Sequence, residues 1–99
     1  MITELPTELQ AYKRTPTFTQ ATVPTGLLSD HHTKDGVWGL IHVEEGSLRY
    51  RVTDPRRCSS DTILTADQPP AVVEPTIRHH VEPIGNVRFY VEFLKAPPA

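Results

Sequence analysis

With 99 residues and a net charge of −2 at neutral pH, the chain can hold one hydrophobic core but has no clustered basic surface, which excludes nucleic acid as the expected partner. Ten prolines against five glycines exclude a helical bundle, because a proline inside a helix removes a backbone hydrogen bond. One cysteine, Cys58, excludes an internal disulfide, and no stretch approaches the roughly 18 apolar residues that cross a bilayer; the expectation is a soluble cytoplasmic protein without a membrane partner.

In chain order, Ile2, Leu5 and Leu9 have nearly helical spacing, but Pro6 limits the segment to one turn before Tyr12. Residues 17–23 predict a first strand, closed by Pro24 and Gly26. Residues 36–43 and 47–52 flank Glu44-Glu45-Gly46 and predict a hairpin, with Val37, Ile41 and Val43 on one face and Leu48, Tyr50 and Val52 on the corresponding face of the return. Residues 53–61 read as a polar loop, in which Asp54-Pro55 starts a turn and Arg56 and Arg57 are solvated. Two short strands, 62–65 and 71–73, are separated by Gln68-Pro69-Pro70. Residues 78–82, a turn over 83–86, and the strict alternation of Val87, Phe89, Val91 and Phe93 complete an all-β pattern of about seven short strands, with a loose tail at 96–99.

Four of the five histidines come as adjacent pairs, His31-His32 and His79-His80. In an extended chain neighbouring side chains point to opposite faces, so one member of each pair can face an interior. Neutral imidazoles bind zinc, iron or nickel when a further histidine or carboxylate completes the set, and Glu74, Glu82, Glu92 and His42 are the candidates. The same residues fit histidines that cap strand ends or face solvent. Ser59-Ser60-Asp61 beside Cys58 lacks a nucleophile elbow, and no glycine-rich phosphate loop is present. Trp38 and Phe93 read as core.

An ordered set of anchors adds a family. Tyr12-Lys13 with Pro16, Pro24, the run from His31 through Trp38-Gly39, Gly46, Val73-Glu74-Pro75, His79-x-Val81-Glu82 and Phe89 to Phe93 together resemble the TehB/YeaR-like cupin family over residues 12–94. That group includes small stand-alone proteins and a domain fused ahead of the methyltransferase in some tellurite-resistance proteins. The resemblance implies a single cupin-type jelly-roll β-barrel spanning residues 1–99, often dimeric, whose mouth holds a divalent metal (zinc, iron or nickel). It also implies a link to tellurite, oxyanion or nitrosative stress, and it specifies no reaction. Carried over residue by residue, it makes His31 and His79 the metal ligands, adds Glu82 as a third, and places Lys34 beside them. Arg78 stands where the family has an aromatic residue, and Lys34 and Gly39 stand where the common cupin motif has a second histidine and a glutamate. In a regular strand Glu82 lies on the face opposite His79. Two further expectations stand beside the metal site. One is a metal-free module binding a small ligand or oxyanion through Lys34, Arg78 and the histidines; the other is a structural homodimerisation domain.

Overall fold

The computed structural model describes residues 4–98, so Ile2 and Ala99, on which the expectations for the two ends partly rest, lie outside the described residues. The first described stretch holds no helical turn, and Tyr12 lies within strand β1 (Gln10–Arg14). There follow β2 (Phe18–Thr19), a one-turn helix α1 (Thr25–Leu28), β3 (Trp38–Val52), β4 (Ser60–Thr65), β5 (Ala71–Val73) and β6 (His79–Lys95). The strand expected over 17–23 stops at Thr19 because threonine side chains turn the chain there: the Thr19 N–H donates to Thr22 Oγ1 (2.8 Å) and the Thr22 N–H to the Thr19 carbonyl (3.1 Å).

All pairings are antiparallel and belong to one sheet with the order β1-β6-β3-β4, in which β2 also pairs with β6 and β5 with β3. This corrects the expected closed cupin jelly roll. The protein is mostly β, but the sheet is open, and among the described residues no pairing joins β1 to β4.

The expected hairpin and the expected turn over 83–86 are corrected as well. Glu44-Glu45-Gly46 and residues 83–86 do not reverse the chain; they lie inside strands of 15 and 17 residues that run antiparallel along their whole lengths. The register shows what these glycines do instead. Val43 faces Phe89 and Glu45 faces Arg88, so Glu44 is an extra residue on β3; Gly46 faces Val87 and Ser47 faces Ile84, so Gly85 and Asn86 are extra on β6. These are bulges, and a bulge bends its strand. One extra residue flips side-chain parity, which is why the inward set changes from Gly39 and Ile41 to Leu48, Tyr50 and Val52. Two extra residues preserve parity, so β6 buries His79, Val81, Val87 and Phe89 on one face across the bulge.

Bent together, β3 and β6 fold the sheet over itself. Leu48, Tyr50, Val52, Leu64 and Val81 from one half enclose a core with Ile41, Val73, Val87 and Phe89 from the other. Phe18 on β2 packs edge-to-face on Phe89, with ring centroids 5.7 Å apart. The buried Tyr50 hydroxyl donates to the Val72 carbonyl at 3.2 Å, tying the second half of β3 to β5.

Gly46 has φ +78°, and a Cβ there would lie 2.0 Å from the Asn86 carbonyl oxygen, a backbone atom that cannot step aside. Gly46→Ala is therefore expected to lower unfolding free energy in urea by about 3 kcal/mol or more. At Gly26, by contrast, an added Cβ meets nothing within 4 Å. Gly26→Ala should change stability by less than about 1 kcal/mol. Equal midpoints for the two variants would refute the bend as the site of constraint.

Candidate functional site

β6 has β3 along one edge. Its other edge takes β2 and β1 near its end and, at its start, a lone antiparallel bridge between His79 and His31. The two residues exchange both backbone bonds at 2.9 Å. Residues directly opposite in an antiparallel pair project to the same face, so the bridge makes the two imidazoles neighbours, with centroids 4.2 Å apart. Tyr50 closes on the far side of His79 at 5.6 Å.

Both rings are oriented by backbone. His79 Nδ1 is 2.9 Å from the Ile77 carbonyl and His31 Nδ1 is 2.9 Å from the Ser29 carbonyl. A carbonyl only accepts, so each Nδ1 carries the proton, and in the neutral ring Nε2 keeps its lone pair. His32 repeats the arrangement toward the Thr33 carbonyl at 3.0 Å. The three histidines share a cavity of about 400 Å³ with Lys13, Lys34 and Phe93. Apolar walls come from Leu27, Val73 and Val91. His79 is only 4% exposed, and burial pushes its pKa down to about 4, against a smaller opposing effect of the Ile77 carbonyl.

Of the residues singled out in the sequence, His31, His79 and Lys34 are brought together at this cavity. Glu82 and Arg78 are placed elsewhere. Glu82 lies on the opposite face of β6, 3.1 Å from His80 Nε2 and 3.5 Å from Arg51, and these contacts hold its carboxyl below the usual range. His80 spans to Asp30 with its other nitrogen at 2.9 Å. Arg78 contributes its backbone, donating from N–H to Asp54 Oδ2 at 3.0 Å and accepting from Thr53 and Asp54. The remaining carboxylate candidates are also engaged: Glu74 with Arg57, and Glu92 with His42 at 3.1 Å.

The expectation of a divalent metal is corrected here. Among the described residues no three histidine, cysteine or carboxylate side chains converge as a metal site requires. The reason is local: each carboxylate that could complete the set is bound to a cation or imidazole away from His31 and His79.

Two features escaped the sequence. Lys13 lies in a strand exposed at every position, where no alternation marks an inner face. Arg56, read as solvated, donates to the buried Asp54 through Nε and Nη2 at 3.0 and 2.8 Å; Asp54-Pro55-Arg56 was the only signal, and it reads as a turn in isolation.

Comparison with known proteins places this geometry. The model of the TehB-like domain matches residues 13–91. Two curated relatives, from two strains of Haemophilus influenzae, each carry the name probable S-adenosyl-L-methionine-dependent methyltransferase TehB; they are 32% and 31% identical over 80 residues, which is 80% of this chain and 28% of theirs. The chain thus spans less than a third of the relatives it matches. The crystal structure of TehB from Haemophilus influenzae superposes with a TM-score of 0.83 at 27% identity, covering 91% of this chain and 32% of that one. An Escherichia coli K12 protein superposes with a TM-score of 0.85 over 98% of this chain and all of its own, a likeness of fold at 24% identity. The relatives are named for S-adenosyl-L-methionine-dependent methyl transfer, which corrects the reading of a metal-holding cupin from a second side. No helix among the described residues is long and apolar enough to cross a membrane.

The depressed His79 pKa fixes a pH window. Between about 6.5, where a free histidine titrates, and about 4, the unfolded chain takes up a proton that the native state refuses. Stability should therefore fall as pH drops from 6.5 to 4, by roughly 3 kcal/mol in all, and this contribution should level off below 4. Urea titrations of the protein and of His79→Gln across that range check it: the variant should lose this part of the slope.

Proposed function

This chain belongs to the TehB-like domain family, and from that premise and the chemistry of its cavity we propose that it is a small-ligand-binding domain that takes a hydroxylated oxyanion and serves S-adenosyl-L-methionine-dependent methyl transfer. The observation that carries the proposal is the paired orientation of His31 and His79. With each Nδ1 committed to a carbonyl, the two rings offer acceptors to a ligand O–H or N–H, while Lys13 and Lys34 line the same cavity without a carboxylate partner among the described residues. An anion that still carries an O–H satisfies both halves. Tellurite near neutral pH has that composition, which agrees with the tellurite link of the family resemblance.

The relatives' name gives a second reading, in which S-adenosyl-L-methionine itself occupies the cavity. Two lysines disfavour a sulfonium cation, and the described residues contain one four-residue helix and no glycine-rich strand-to-helix turn of the kind that cradles a nucleotide cofactor.

Titration calorimetry in a Cys58→Ser background, which removes the exposed thiol as a reactant, separates the readings. Tellurite should bind, and Lys34→Ala and His31→Gln should each weaken it about tenfold, the equivalent of one lost charge-assisted or neutral hydrogen bond. Binding of S-adenosyl-L-methionine without tellurite would select the second reading. Silence toward both, or unchanged affinity in both variants, would end the proposal.

A further inference from the structure

The wall of the cavity is held from behind by an ion pair between a buried aspartate and an exposed arginine in the loop between β3 and β4. Asp54 is 3% exposed and accepts four hydrogen bonds: from the Arg56 N–H (2.8 Å), Arg56 Nε (3.0 Å), Arg56 Nη2 (2.8 Å) and the Arg78 N–H (3.0 Å). Arg56 Nη2 also donates to the Thr76 carbonyl at 2.7 Å. The pair therefore grips the chain on both sides of Ile77, at the carbonyl of residue 76 and the amide of residue 78. At the first of these grips Thr76 has φ +65°, a left-handed conformation that a β-branched residue adopts only when its surroundings impose it. Its N–H donates to the Thr33 carbonyl at 3.2 Å, which joins the gripped segment to the cavity-lining stretch that follows His31.

Ile77 is where this reaches the site, because its carbonyl is the acceptor for His79 Nδ1. We propose that Asp54 and Arg56 are positioning residues that, by fixing the peptides on either side of Ile77, set the tautomer of His79 and so decide that the cavity offers an acceptor rather than a donor. Without the grip Thr76 relaxes to negative φ, the Ile77 carbonyl turns, and the ring is free to carry its proton on Nε2. The ligand consequence rests on the oxyanion-binding reading; the tautomer does not.

Imidazole nitrogen NMR of the ligand-free protein at pH 7 reads the tautomer directly. In the unmodified chain His79 should show a protonated Nδ1 and an unprotonated Nε2, and Arg56→Ala should give a mixture of tautomers. The Arg56 side chain is 57% exposed, so its truncation opens no cavity in the core, and the urea midpoint of the variant checks that it is folded. Adding Thr76→Gly, which takes positive φ without strain, should restore the single tautomer, a rescue that general destabilisation does not predict. A folded Arg56→Ala protein whose His79 remains wholly protonated on Nδ1 overturns the proposal. Tellurite affinity, measured on the same samples, should fall about tenfold in Arg56→Ala and return in the double variant. If no variant binds tellurite while the tautomers behave as stated, the oxyanion reading has failed and the positioning role stands.

Discussion

The paired bend in β3 and β6 is the constraint on which the rest depends. Along a straight strand, at about 3.3 Å per residue, His79 and Val91 would stand roughly 40 Å apart. Both line one cavity of about 400 Å³. Only a strand sharply bent at Gly85 and Asn86 can bring them together, and β6 bends there where β3 bends opposite it, at Glu44 to Gly46. The close approach of Gly46 to the Asn86 carbonyl is the point of contact between the two, and it leaves no space for a side chain. One backbone contact thus sets the enclosure of the core and the existence of the site.

The bend also explains what the sequence reveals and what it hides. The inward-facing residues of β3 were readable by alternation, including the change of parity between Val43 and Leu48. A parity change with a glycine in the gap fits a hairpin and a bulge equally well from local pattern, because both require positive φ at the glycine and an odd displacement. The difference lies in the partner strand: a hairpin would pair residues 36–43 with 47–52, whereas both halves pair with β6, far along the chain. Non-local pairing leaves no mark on local periodicity. The closed barrel expected from the family resemblance gives way for a related reason, since two long strands that bend in step bury a core by folding one open sheet, without a ring of pairings.

The charges of residues 54–57 were misleading, because what buries and fixes them lies far along the chain. Arg56 and Arg57 follow a turn-forming Asp-Pro and look solvated; the segment that makes them structural, residues 74–78, comes some twenty positions later. Burial of Asp54 is tolerable only because every bond it accepts comes from a cation or a backbone amide, which holds its carboxyl far below the ordinary range, with the Arg56 side chain as the largest cause. The histidines divide similarly. Alternation said that one member of each pair can face inward, and the family resemblance chose His31 and His79, the two that the sheet edge sets ring to ring. Alternation does not apply to His32, because residues 32–34 are outside any strand, and it lines the cavity as well.

His79 and His80, joined by one peptide bond, show how far a strand can separate two identical side chains. On the inner face burial removes water from His79, its acceptor is an uncharged carbonyl, and the neutral ring is favoured. On the outer face His80 lies between the carboxylates of Asp30 and Glu82. The segment carrying His31 is therefore secured twice: from inside by the bridge between His31 and His79, and from outside by Asp30 on His80. In the proposed binding role, an inner ring free of charged partners offers its nitrogen to a ligand while the outer ring's hydrogen bonds to carboxylates anchor the same loop. In that proposed role the doubled histidine at the start of β6 keeps side-chain anchoring and recognition apart.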